Sequence, residues 1–222
     1  MNGPETPAIT IRSKFAPDRL DVRCHTLQSM AMSLTTSTPA APTLWRTCRA
    51  LANRQRLLIL CYLVDHPYRS VSEVARMLHL SLPVTSQYLR SLNARGMLRV
   101  ERVGPRVLYR VLPDPSIPQA DALLTSLVRS SKSSKTFVDD TLHALTGFTH
   151  PRRIKLVQAL ARGTNSISML VSETRISKRA VLRHIDKLCR RGYVERRAHQ
   201  YRIGRALSPV SAVLLKLALH SA

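Results

Sequence analysis

Acidic side chains are scarce in this sequence: 13 Asp and Glu stand against 35 Lys and Arg in 222 residues, a formal net charge of +22. A chain this basic attracts polyanions, nucleic acid first among them. Long apolar runs are also missing. The longest, Leu57 to Val64, is eight residues, against the roughly 20 needed to span a bilayer. No basic head leads into an apolar segment near the start, so a secretory signal is not expected. Four cysteines, Cys24, Cys48, Cys61 and Cys189, lack the close spacing of a zinc module or a disulfide framework. There is no glycine-rich phosphate loop and no nucleophile motif. The one adjacent carboxylate pair, Asp139 and Asp140, suits the first turn of a helix, so the chain does not read as an enzyme. No cofactor and no membrane contact are expected. The reading is a cytoplasmic, nucleoid-associated protein with an acidic partner.

What is present is ordinary globular material, with 44% hydrophobic residues and a length that suits one or two domains. The charge is unevenly placed. Residues 41–112 carry twelve basic and three acidic groups, and residues 143–204 carry fourteen and three. Between them, 113–142 carry three basic and four acidic groups. Residues 1–40, with prolines at 4, 7, 17 and 39 and a Ser/Thr/Pro/Ala-rich end, read as a disordered extension. The boundaries expected are therefore a first domain at 41–112, a helical connector at 113–142 and a second domain at 143–222.

The two basic blocks are copies of one another. SLPVTSQYLRSLNARG from Ser81 aligns with SKRAVLRHIDKLCRRG from Ser177, keeping Ser81/Ser177, Leu92/Leu188, Arg95/Arg191 and Gly96/Gly192. Upstream, NRQRLLILCYL from Asn53 answers HPRRIKLVQAL from His150, and Ser70-Val71-Ser72 answers Ser166-Ile167-Ser168. Downstream, Tyr109-Arg110-Val111 answers Tyr201-Arg202-Ile203. Several matches in one order indicate a module present twice.

Each copy has the same run of elements. Thr43 can cap a short helix to about Ala52, and an apolar helix follows from about Arg54 to Val64. Ser70 or Ser72 starts a third helix. Ser81 caps a fourth, over Leu82–Ala94, with Pro83 tolerated in its first turn. Thr85, Leu89 and Leu92 form the inward stripe of that helix, and Val181, Ile185 and Leu188 repeat it. Gly96 and Gly192 suit left-handed helix ends. Leu98–Arg102 with Arg106–Val111, and Tyr193–Arg197 with Gln200–Ile203, read as hairpins. The fold class is mainly α with small β-hairpins, as two winged helix-turn-helix domains in tandem.

At this point the first copy resembles the ArsR-type winged-helix transcriptional regulators. The resemblance rests on LWRTCRALANRQRLLILCYL, SVSEVARMLHLSLPVTSQYLRSLNARGML and the closing VLYRV, over Leu44 to Val111. The second copy, Leu145 to Gly204, is similar to a more diverged version. The resemblance implies a sequence-specific regulator of double-stranded DNA, with the helix over Leu82–Ala94 in the major groove, the hairpin along the backbone and terminal helices that dimerise. Many metal sensors of that family carry Cys-x-Cys where this chain has Ser70 and Ser72, or Ser166 and Ser168. A serine hydroxyl does not replace a soft thiolate, so metal sensing is disfavoured.

The outward face of the first recognition helix presents Pro83, Ser86, Gln87, Arg90 and Ala94. Gln87 suits an adenine edge, and Arg90 a guanine or a phosphate. The second presents Arg179, Arg183, Asp186, Lys187 and Arg190, with Arg183 suited to guanine. The two faces differ, so they are expected to read different half-sites. Ser81 and Ser177 offer helix N-termini to phosphates, or simply cap. Arg102 and Arg106, with Arg196, Arg197 and His199, are wing contacts to the backbone or minor groove. Tyr88 and His184, at equivalent positions, are expected to pack rather than stack on bases. The apolar helix at Pro209–His220 needs a cover, which the connector would supply in an intrachain pseudo-dimer or a second chain in a homodimer. In a pseudo-dimer the recognition helices would stand roughly 34 Å apart. The competing class is a winged-helix protein that binds RNA or a protein partner within a larger assembly.

Overall fold

The structure, a computed structural model, describes residues 43–117, 119–133, 136–198 and 200–221. The extension expected over residues 1–40 lies outside them, as does His199. Seven elements make up each copy, in one order. In the first, α1 (Leu44–Leu51), α2 (Arg54–Asp65), α3 (Val71–Met77) and α4 (Leu82–Asn93) lead into the hairpin of β1 (Leu98–Val103) and β2 (Arg106–Val111), and α5 (Ala120–Ser133) follows. In the second, α6 (Phe137–Leu145), α7 (Pro151–Ala161), α8 (Ile167–Thr174) and α9 (Lys178–Arg190) precede β3 (Val194–Arg197), β4 (Gln200–Ile203) and α10 (Pro209–Leu219). The chain is mostly helical with two small antiparallel hairpins, the layout of two winged helix-turn-helix domains in tandem. Residues 113–142 hold α5 and most of α6, so the repeat reaches further than the sequence match shows.

Helix starts and stops follow local chemistry. Asn53 begins α2 by accepting a hydrogen bond from Arg56 N, and the His150 ring begins α7 by accepting from Arg152 N. Ser70 and Glu73 form a capping box at α3: Glu73 N donates to Ser70 Oγ at 3.4 Å and Ser70 N donates to Glu73 Oε2 at 2.8 Å. Those bonds from Ser70, with Arg69 beside them, hold the Glu73 carboxyl down at about 2. Ser166 does the same work for α8, accepting from Met169 N. Gly96 and Gly192 end α4 and α9 at φ +70° and +74°, where a residue with a Cβ would be strained.

Three of the expected caps are made by position only. Thr43, Ser81 and Ser177 occupy N-cap sites, yet none of their side chains makes a cap hydrogen bond. At Ser81 the second helical residue is Pro83, which has no N–H to give, and the Ser81 carbonyl accepts from the Thr85 hydroxyl at 2.9 Å.

One hydrophobic cluster runs through both copies, from Leu44 to Ala218. The α5 helix packs on α10, α10 packs on α6 and α7, and α6 packs against α1 and α2. Thus α10 is covered within the chain: Val210, Leu214 and Ala218 are buried, and Val213 and Leu217 half-buried. Ser211, a polar residue on this apolar helix, is buried. It closes a capping box in which Ser208 N donates to Ser211 Oγ at 2.7 Å, so its hydroxyl is satisfied where it lies. From α7, Gln158 Nε2 donates to the carbonyls of Ala218 and Ser221 at 2.9 and 2.7 Å and so finishes the C-terminal turn. Tyr193 is fully buried against Phe148, ring centroids 4.5 Å apart, and donates to the Ala144 carbonyl at 3.0 Å. Gly147 allows that approach, since a Cβ there would stand 2.3 Å from the Tyr193 ring. Among the described residues, no helix is long and apolar enough to cross a membrane.

A shared core predicts shared unfolding. Urea denaturation should show one transition by fluorescence and circular dichroism together, and Leu214→Ala should lower stability by roughly 2–5 kcal/mol without splitting it. Two separate transitions would show that the copies have independent cores.

Candidate nucleic-acid interface

The two helices expected to meet DNA are built alike. On α4, Thr85, Leu89 and Leu92 are buried, while Pro83, Gln87 and Arg90 are exposed and Ser86 is half-buried. On α9, Val181, Ile185 and Leu188 are buried, while Arg179, Arg183 and Arg190 are exposed and Lys187 is half-buried. Both faces follow from the same 3.6-residue stripe. Ser81 and Ser177 are exposed at the helix starts.

Not every cation on the second face is unengaged. Arg190 pairs with Asp186 one turn away at 2.5 Å, a surface contact of little energetic weight that a phosphate can displace. On α4, Arg90 Nε donates to the Ser86 carbonyl at 3.4 Å. Lys187 sits among Arg191, Arg190 and Arg153, and burial followed by those charges lowers the pKa of its ammonium.

The hairpins are anchored by the same device in both copies. Arg69 N donates to the Tyr109 carbonyl and Tyr109 N to the Arg69 carbonyl, at 3.1 and 2.8 Å. The equivalent Tyr201 N donates to the Asn165 carbonyl at 2.8 Å. Each bond ties a wing to the strand-like approach to the third helix, so the wing and the helix-turn-helix move as one body. Arg102 pairs across the first hairpin with Val107, and Arg106 with Val103, on either side of a Gly104-Pro105 turn; both arginines are exposed. In the second hairpin Arg196 faces Tyr201 and Arg197 faces Gln200. Arg197 lies 3.5 Å from Glu195.

The sequence reading missed a cluster behind each recognition helix. In the first copy Arg56 stacks over Tyr88 at 5.2 Å and donates to the Ala50 carbonyl at 2.5 Å. Its equivalent in the second copy, Arg153, is buried and donates to Thr149 Oγ1 at 2.6 Å. There Tyr88 is replaced by His184 and Asn53 by His150, and the two rings meet at a tilt of 39° with centroids 4.6 Å apart. Packing is thus what Tyr88 and His184 both do. His184 is buried with no partner on Nε2. Burial first, then His150, Arg153, Arg183 and Arg152, pull its pKa down to about 4. Aligning the two copies was the signal that could have exposed this cluster. Behind it, burial raises the Cys48 thiol to about 12, which removes its reactivity as a nucleophile.

Comparison with known proteins agrees with this geometry. Residues 53–99 match the family model for winged helix-turn-helix DNA-binding domains, and residues 150–196 match that for bacterial regulatory proteins of the arsR family. Two winged helix-turn-helix DNA-binding domains therefore stand in tandem, and the ArsR model falls on the second copy. The chain is similar to the HTH-type transcriptional regulator YgaV of Escherichia coli (strain K12), 36% identical over 63 residues. The match covers 28% of this chain and 64% of the relative, just under two thirds of its length. No solved structure matches the chain.

The buried imidazole gives a pH dependence of known sign. His184 binds its proton far more weakly in the folded chain than in the unfolded one. Its contribution is complete above about pH 6.5 and is lost as pH falls toward 4. The urea midpoint should therefore drop over that range, with His184 contributing about one proton to the uptake on unfolding and His150, whose pKa burial also lowers, adding to it. His184→Tyr, which installs the residue of the first copy, should remove that part of the slope. A slope unchanged by His184→Tyr would assign it to other groups.

Proposed function

We propose that this chain is a sequence-specific transcriptional repressor of double-stranded DNA, acting on the nucleoid in the cytoplasm. Helices α4 and α9 each enter a major groove, and the two hairpins follow the backbone. The observation that carries this reading is the recurrence, in two DNA-binding domains, of an exposed polar face over the same buried stripe. The regulator named among the chain's relatives supports a role in transcription. In this reading the α5–α10 contact makes one chain an intrachain pseudo-dimer, with heads about one helical turn apart on one face of the duplex. Repression asks only for occupancy: two DNA-binding domains that fill an operator exclude other proteins from it.

Roles divide along the two faces. Gln87 pairs with an adenine edge and Arg183 with guanine. Arg90, Arg179, Lys187 and Arg190 meet bases or phosphates at the flanks, together with Pro83 and Ser86. Ser81 and Ser177 present helix N-termini to phosphates. Arg102, Arg106, Arg196 and Arg197 hold the backbone. Since the second face is far more cationic than the first, its half-site contributes more of the salt-dependent affinity.

Recovery of bound duplexes from a random pool, followed by salt titration, tests the reading. Binding should fall steeply with salt. Gln87→Ala and Arg183→Ala should each relax preference at one base pair by roughly 1–3 kcal/mol. Arg106→Ala should weaken all duplexes alike and reduce the salt slope by about one. Stronger binding to RNA than to any duplex DNA would overturn the proposal.

A further inference from the structure

We infer that Leu82 and Leu182 read thymine methyl groups, one in each half-site. The inference rests on the DNA-binding role proposed above and adds specificity-determining contacts to it.

Both leucines stand exposed on the recognition helices, beside the polar readers, and Leu82 has Val71, Pro105 and Val107 along the groove it lines. Leu82, the first residue of α4, is 55% exposed, and Leu182 on α9 is 44% exposed. A single exposed leucine needs no explanation, so their positions decide the matter. Aligned from Ser81 and Ser177, Leu82 corresponds to Lys178 and Leu182 to Ser86. Each position is therefore polar in the other copy, which folds without the leucine. The fold does not require an apolar residue at either place.

The two positions also share an edge of the helix. Four residues separate positions 82 and 86, a rotation of about 40° at 3.6 residues per turn. Both lie between the buried stripe and the polar readers Gln87 and Arg183. Leu82 further lines a groove with Ser72, Pro105, Arg106 and Val107, the concave side shared by wing and recognition helix. A side chain carried into the major groove on that edge meets base edges that are polar, with one apolar exception, the C5-methyl of thymine. Leucine can gain there only from that methyl. Because Leu182 sits one turn further along its helix than Leu82, by about 6 Å, the two thymines fall at different places in their half-sites.

Uracil lacks the methyl, which gives a clean probe. A duplex selected by the full chain from a random pool is resynthesised with deoxyuridine replacing thymidine at one position at a time, leaving every hydrogen-bonding group in place. Wild-type binding should weaken roughly three- to tenfold at one position in each half-site and remain level elsewhere. Leu82→Ala should bind the thymidine and deoxyuridine forms equally at the first position while keeping the loss at the second. Leu182→Ala should do the reverse. Both side chains are exposed, and circular dichroism will confirm that the variants fold. Tight duplex binding with no sensitivity to deoxyuridine would overturn this inference and leave the DNA-binding role standing. A deoxyuridine loss that persists in both variants would do the same. Failure to select any duplex would overturn both.

Discussion

Helix α10 has to be covered. Its buried side, Val210, Leu214 and Ala218, packs on α6 and α7 of its own copy and on α5 of the other, and without α5 part of that apolar strip would face water. The chain meets the demand from within, by laying α5 of the first copy across α10 of the second. Once those helices are paired, α6 is drawn against α1 and α2, and the two cores merge into one. The wings and recognition helices are then carried on a body that has no internal hinge in its core. Each hairpin is tied in turn to its own helix-turn-helix by the backbone bonds at Tyr109 and Tyr201.

Much of this was legible in the residues themselves. A 3.6-residue stripe of three inward side chains placed α4 and α9, and left-handed glycines placed their ends. The exposed basic face followed by subtraction. What escaped depended on neighbours far along the chain. Ser211 looks like a surface residue until Ser208 supplies its partner, and Ser81 looks like a capping side chain yet makes no cap hydrogen bond. Cys48 on α1 feels the charge of Arg153 on α7, a residue of the other copy. The extent of the repeat was hidden for a similar reason: α5 and α10 share a place in the fold but little sequence. Terminal helices need only be apolar on one side, which constrains few positions.

The copies have diverged where they face outward and around one inner aromatic. Exchange of Tyr88 for His184 keeps a flat ring at that position but sets a buried imidazole against His150, without a carboxylate partner among its named neighbours. The ring must remain neutral to stay there. The first copy avoids that constraint by using a phenol, over which a guanidinium sits comfortably. Such differences can accumulate because neither half has to be complementary to an identical twin, as it would across a two-fold axis.

The continuous core has a consequence for how the molecule responds to dilution. Two separate chains joined through such helices would exchange between paired and unpaired forms, and the paired fraction would fall with abundance. Here the second domain is supplied by the same polypeptide, so its effective concentration does not depend on how many molecules are present. A handful of copies per cell would be as fully assembled as a thousand. In the proposed reading, where one chain fills one operator, occupancy of a target rises with the first power of protein number, giving a graded response where a dissociating pair would give a threshold.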